Sequence, residues 1–172
     1  KSTSSTATPV HLKINAQSFN PDKVHTLTPI SHDYIMKKGI LNCEMVLEMG
    51  NNMLTWDEFN PALYKLTAEL TNGKKKEVKQ IQFGMREFAI KGKWFYVNGR
   101  QTQLRGTVEC CTFPLTGYPP TDVKSWERIF RICRSSGLNH IRFHSYCPPE
   151  AAFIAADLVG IYLQPEGPAW PN

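Results

Sequence analysis

The sequence predicts an antiparallel β-sandwich followed by the opening strands and helices of a parallel α/β sheet, and three observations predict it. The first half carries short runs of alternating polarity broken by Pro, Gly and Asn clusters. Two Asn-Gly dipeptides, Asn72-Gly73 and Asn98-Gly99, lie between such runs. Residues 103–172 read as strand, helix, strand, helix, strand, and the alternation stops unfinished.

Alternating runs at His11 to Ala16, Cys43 to Met49, Tyr64 to Leu70, Val78 to Phe83 and Trp94 to Val97 predict antiparallel strands, whose spacing favours a sandwich over a barrel. Asn72-Gly73 and Asn98-Gly99 each fit a type I′ turn, because both dipeptides tolerate positive φ at the two central positions. The boundary is placed near residues 85–92, giving a sandwich over 1–90 and an α/β region over 91–172. In that second region Gln103 to Glu109 reads as a strand, and Pro119 to Asp122 supplies a turn and an N-cap. Val123, Trp126, Ile129, Phe130 and Cys133 fall on one helical face, with Lys124, Glu127, Arg128, Arg131 and Arg134 on the other. Gly137 occupies the position of a left-handed cap, and His140 to His144 follows as a strand. Pro148-Pro149-Glu150 opens a second helix that is almost wholly apolar from Ala151 to Val159, Gly160 closes it, and Ile161 to Gln164 is the next strand. Such alternation indicates right-handed βαβ units, so the chain is expected to end inside a larger fold.

Composition is that of an ordinary soluble protein, 41% hydrophobic and 20% charged over 172 residues, enough for one domain and part of another. Lys1 to Thr8 is rich in Ser and Thr and reads as a linker or frayed end rather than a signal peptide, and no run is long enough to span a membrane. The net charge of +5 is spread over the chain, which argues against a nucleic-acid partner; Lys74-Lys75-Lys76 keeps a hairpin tip soluble. Cys43, Cys110, Cys111, Cys133 and Cys147 show no Cys-x-x-Cys spacing, so they are expected to be mostly small buried hydrophobes rather than metal ligands, and no metal or cofactor is expected. A thiol nucleophile would need a nearby histidine, and His144 with Cys147 is the local pair that offers one. Trp56, Trp94 and Trp126 sit in alternating or periodic apolar patterns and are expected in the core.

Three segments in order carry a resemblance. Leu54-Thr55-Trp56 with Asn60-Pro61-Ala62-Leu63-Tyr64-Lys65-Leu66 is the first. Phe83-Gly84-Met85-Arg86 leading to Phe95 through Gly99 and to Leu104-Arg105-Gly106 is the second. Gly137-Leu138-Asn139-His140-Ile141-Arg142, His144-Ser145-Tyr146, Ala156-Asp157 and Gly160-Ile161-Tyr162 form the third. Together they resemble glycoside hydrolase family 2, the group of β-galactosidases, β-glucuronidases and β-mannosidases. The resemblance implies an immunoglobulin-like sandwich followed by the first three strands of a (β/α)8 barrel. It also implies a bacterial enzyme, periplasmic or secreted, that cleaves terminal sugars from plant or host polysaccharide with retention of configuration. Two glutamates at the ends of the fourth and seventh barrel strands do the chemistry in that family, so no catalytic residue is expected before Asn172.

The barrel rim present here offers Glu109, Arg142, His144, Glu166 and Trp170 as substrate-binding candidates. Glu166, ahead of Gly167-Pro168-Ala169-Trp170, either places an acid beside an aromatic sugar platform or pairs with Arg105 or Arg142 as a structural carboxylate. His144 resembles the family's substrate-binding histidine, in the order His-Ser-Tyr rather than Ser-His-Tyr, and either contacts sugar or packs behind it. Arg142 is expected to support carboxylates inside the barrel. Where the family often has a histidine near the position of Cys110, this chain has Thr107-Val108-Glu109-Cys110-Cys111, a departure that argues against a galactoside pocket. The other function class is a non-catalytic carbohydrate-binding or structural module. Open sheet edges would be closed by the rest of a barrel or by a second copy.

Overall fold

Four strands, β1 (Thr8–Ser18), β2 (Ile30–Met36), β3 (Tyr64–Asn72) and β4 (Lys75–Phe83), pair antiparallel in the order β2-β1-β3-β4 in this computed structural model, which describes residues 6–167. They form the first of two units, the described part of Lys1–Leu54 with Leu63–Phe83. The long inner strand β1 alternates as its sequence demands: Val10 and Ala16 are buried while Lys13, Asn15 and Gln17 are exposed. Tyr64 anchors the unit. Its ring is fully buried and stacks on Phe83 at 5.5 Å, and its hydroxyl accepts the Leu54 N–H at 2.8 Å and bonds His25 Nδ1 at 2.7 Å.

Two expectations for this unit are corrected. Cys43 to Met49 is not a strand, although Met45, Leu47 and Met49 are half-buried and Val46 and Glu48 exposed. Alternation specifies two faces, but a strand also needs a partner edge, and this segment has none among the described residues. Ile30–Met36, for which no strand is expected from the sequence, is one because β1 gives it seven paired positions, from Ile14 opposite Ile30 to Thr8 opposite Met36. The β3–β4 turn is also shifted by one residue. Asn72 pairs with Lys75, so the central residues are Gly73 and Lys74, with a positive φ of 57° at Gly73 alone, the pattern of a type II′ rather than a type I′ turn. At Asn98-Gly99, both residues do have positive φ, 50° and 76°, as a type I′ turn requires.

The second unit comprises Thr55–Ala62 and the described part of Gly84–Asn172. The division therefore falls after Phe83, whereas a boundary after residue 90 would cut strand β5 (Phe88–Lys91). β5, β6 (Trp94–Val97) and β7 (Arg100–Thr102) make an antiparallel sheet in sequence order. There follow β8 (Gly106–Glu109), α1 (Val123–Ser135), β9 (His140–Phe143), α2 (Glu150–Val159) and β10 (Tyr162–Pro165). β8, β9 and β10 are parallel neighbours in that order. The helices are their crossovers, and α1 and α2 pack against each other on one face of the sheet.

Capping accounts for both helices. The Asp122 carboxylate accepts the Ser125 N–H at 2.8 Å, and Gly137 with φ 79° closes α1. Leu138 N–H reaches Cys133 O at 3.0 Å and Gly137 N–H reaches Arg134 O at 2.9 Å, the paired bonds of a Schellman motif. Gly160 ends α2 with φ 82°, and a Cβ there would meet Glu58 O at 2.9 Å. Trp126 and Phe130 from α1, Ile141 and Phe143 from β9, and Ala152, Ala155 and Val159 from α2 form the buried core of this unit. Trp126 satisfies its indole N–H on Pro120 O at 2.7 Å. Among the described residues the chain is thus mostly antiparallel sheet, sandwich-like in class, with few helices.

Candidate functional site

Parallel strands that run side by side deliver their last residues to one edge, and here β8, β9 and β10 end at Glu109, Phe143 and Pro165. Ile141 and Phe143 point into the helix-covered core, so His140 and Arg142 face the other side of β9. Asn139 pins the opposite ends of the strands. Its buried amide accepts Arg105 N–H at 2.7 Å and donates to Gln103 O at 2.9 Å, while its carbonyl takes Tyr162 N–H at 2.8 Å. The sequence marked Asn139 only as part of a motif; a side chain 3% exposed that satisfies two neighbouring segments could be recognised from the structure alone.

At the carboxyl ends, four of the five expected site residues come together. Arg142 Nε donates to Glu166 Oε1 at 2.5 Å, and Glu166 Oε2 accepts the Ser145 N–H at 2.8 Å. Of the two partners the sequence offered Glu166, the structure selects Arg142; Arg105 instead donates to Gly137 O at 2.9 Å and lies 3.8 Å from Glu58. Ser145 adopts φ 64°, which turns its amide toward Glu166, and its hydroxyl bonds His144 Nδ1 at 2.8 Å. His144 N–H in turn donates to Glu109 O at 2.8 Å, tying the loop after β9 to the end of β8. Trp170 lies outside the described residues.

The two carboxylates have opposite electrostatics. The Ser145 N–H first and the Arg142 guanidinium second hold the Glu166 carboxyl below its usual range, so it is a fixed anion and hydrogen-bond acceptor at neutral pH. Burial pushes Glu109 up, against the N–H groups of Thr112 and Cys111. Glu109 Oε1 accepts Thr112 N–H at 3.3 Å, while its Oε2 is buried without a partner among the described residues. Such a set can bind hydroxyl groups through an anion, a guanidinium, an imidazole and a carboxyl poised nearer protonation. Glu166 lacks the raised pKa that a general acid needs.

Several expectations for the cysteines and tryptophans change. Cys43, Cys110, Cys111 and Cys147 are exposed, and only Cys133 packs against the core of its unit. β8 stops at Glu109, so Cys110 and Cys111 fall in a loop, Cys111 with φ 58°. His144 bonds Ser145 and Cys147 Sγ lies 3.7 Å from Pro148 O, so the two do not form a nucleophile–base pair. Trp56 and Trp126 are buried as expected, whereas Trp94 is 41% exposed beneath the Lys93 ammonium. Trp56 is a hub: its indole N–H donates to Asp157 O at 2.7 Å, its ring meets Tyr162 edge-on at 5.6 Å, and the Arg86 guanidinium lies over it at 4.8 Å. A cleft of about 640 Å³ runs along β10, lined by Arg86, Phe95, His140, Asp157 and Gln164 among others; of the sequence-predicted site residues, none of the four described ones lines it.

The family model for glycosyl hydrolases family 2 matches residues 1–86. The β-galactosidase of Staphylococcus xylosus is 31% identical over 116 residues, 67% of this chain and 11% of that protein. The β-galactosidase of Thermoanaerobacterium thermosulfurigenes is 30% identical over 126 residues, 72% of this chain and 17% of that protein. The chain therefore spans a small part of the length of these relatives. In structure it is similar to Bacteroides uniformis β-glucuronidase 2 covalently bound to cyclophellitol-6-carboxylate aziridine, with TM-score 0.75 and 22% identity, covering 100% of this chain and 21% of that one. Parabacteroides merdae β-glucuronidase with glycerol in its active site gives TM-score 0.73 and 22% identity, covering 94% of this chain and 20% of that one. At those identities the likeness concerns the fold. With half of its length matched by the family model, the chain belongs to the glycosyl hydrolases family 2.

Proposed function

We propose that this chain is part of a retaining glycoside hydrolase that removes terminal sugars from oligo- or polysaccharides, with unit 2 forming the start of its (β/α)8 barrel. In this reading the first unit is an immunoglobulin-like sandwich, and Glu109, Arg142, His144 and Glu166 line part of the substrate rim. The observation that carries it is the parallel sheet β8-β9-β10, with both crossover helices on one face and the Arg142–Glu166 pair at the carboxyl ends of its strands. The glycosidase names of the relatives support the reaction class. The covalent aziridine adduct of the B. uniformis neighbour supports retention, since retaining enzymes pass through a covalent glycosyl intermediate.

Retaining hydrolysis needs two carboxyl groups about 5–5.5 Å apart, one attacking the anomeric carbon and one protonating the leaving oxygen. Glu166 is committed to Arg142 and Ser145, which suits it to accept a sugar hydroxyl and not to either catalytic role. The catalytic pair is assigned to strands outside this chain. The purified 172-residue chain should accordingly leave p-nitrophenyl β-galactoside and β-glucuronide intact. In an enzyme that includes it, Glu166→Gln should lower kcat/KM about 10- to 100-fold, the loss of one charge-assisted hydrogen bond. Turnover by the chain alone would refute the placement of the catalytic pair. An unchanged kcat/KM in Glu166→Gln would remove Glu166 from the rim.

A further inference from the structure

Unit 1 holds a cleft of about 530 Å³, within the size range of small-ligand sites, between the outer face of its sheet and the segment 19–29. Strand register builds its floor. Asn15 on β1 lies opposite Thr67 on β3, which lies opposite Gln80 on β4, and Gln17 lies opposite Lys65. Residues directly opposite in an antiparallel pair share a face, so the floor is a grid of amides, a hydroxyl and one ammonium at strand spacing. Phe19, 41% exposed, stands at one end with the Lys65 ammonium 5.3 Å from its ring centre.

The grid is underused by the protein itself. Gln80 Nε2 donates to Thr67 Oγ1 at 3.3 Å, but the side chains of Asn15 and Gln17 make no hydrogen bond among the described residues. A primary amide donates and accepts at once, which suits hydroxyl groups, themselves both donors and acceptors. The ligand's class follows by elimination. β1 and β3 are inner strands whose backbone groups are already paired, so an added peptide strand finds no main chain to bond in the middle of the floor. Lys65 is the lone charged side chain among the lining residues, too little for a polyanion. What remains is a neutral, polyhydroxylated molecule with an apolar C–H face for Phe19.

We infer that this cleft is a sugar-binding site on the sheet unit, separate from the rim residues of unit 2 and able to hold a neutral oligosaccharide. It takes only the choice of carbohydrate from the proposed glycosidase reading. The full 172-residue chain, labelled with 15N, is titrated with β-1,4-linked tetraoses of glucose, galactose, mannose and xylose while its amide spectrum is followed. Expected are saturable shifts of the side-chain NH₂ signals of Asn15, Gln17 and Gln80 with at least one of the four. The exposed pair Gln17→Ala with Gln80→Ala should weaken that binding at least about fivefold, two neutral hydrogen bonds being lost. No saturable shift at these amides with any of the four sugars would overturn the inference. So would shifts confined to Glu109, His144 and Glu166, or binding that the double variant leaves unchanged. Hydrolysis by the longer enzyme is read in a separate assay, so either proposal can fail alone.

Discussion

The two units bury their apolar residues in different ways. In unit 2, ten buried side chains form one contiguous cluster between two helices and a parallel sheet, with Trp126, Phe130 and Phe143 at its centre. In unit 1 the fully or nearly buried residues are few, Val10, Ala16, Leu27, Leu63 and Tyr64 with Ser18, and the edge strand β4 is exposed along its length up to Phe83. Unit 2 is therefore held chiefly by side-chain packing. Unit 1 depends on main-chain ladders and on polar anchors such as Tyr64, so single substitutions should act on the two by different mechanisms.

The largest effect is expected in the packed unit. Trp126→Ala empties a fully buried site touching Phe113, Phe130 and Phe143, and should cost about 3–5 kcal/mol. Urea unfolding followed by tryptophan fluorescence checks it, because the tryptophans among the described residues, Trp56, Trp94 and Trp126, fall in unit 2. A loss near that of a surface substitution would break the contrast. Tyr64→Phe keeps the ring and removes the hydroxyl, leaving Leu54 N–H without its partner, and should cost about 1–3 kcal/mol. Hydrogen exchange of the β1 and β3 amides reads this change in unit 1, while exchange at β9 should be unaltered.

The smallest effects are those of pH, and their signs differ between two carboxylates at the same edge of the parallel sheet. Glu166 is held below its unfolded pKa, so its contribution is present above that value and is lost as pH falls through the folded one. Glu109 is raised above its unfolded pKa, so its contribution is full below the unfolded value and disappears as pH rises through the folded one. Across the acid side of neutrality, Glu166→Gln should flatten the fall in urea midpoint on acidification. Glu109→Gln should instead raise the midpoint at neutral pH, where the parent carboxyl is forced to ionise in a buried setting. Identical pH profiles for the two variants would show that this edge of the sheet does not distinguish them.

Legibility in the sequence followed the range of the interaction. Asp122 as a cap, Gly137 and Gly160 as left-handed terminators and Asn98-Gly99 as a type I′ turn each act within a few residues, and each stands in the structure where the sequence placed it. The parallel alternation of β8 to β10 was legible for the same reason, since helical and strand periods are local. Glu109, Arg142, His144 and Glu166 could be named from their places at strand ends. Their arrangement could not, because whether Glu166 meets Arg142 or Arg105 depends on which way the loop after β9 turns at Ser145.

What the sequence by itself determined is the strand–helix alternation from β8 to β10, the caps that delimit its helices, and the family the chain belongs to, whereas strand β5 went unread. Tertiary structure alone decided that Ile30–Met36 pairs while Cys43 to Met49 does not, that four cysteines face outward, and that Thr55–Ala62 belongs with unit 2. It also joined Asn15, Gln17, Thr67 and Gln80 into one polar floor, although up to 65 residues separate them in the chain. The physical reason is common to all of these. A cap or turn is satisfied by its own neighbours, whereas pairing and exposure are properties of whichever remote segment arrives alongside.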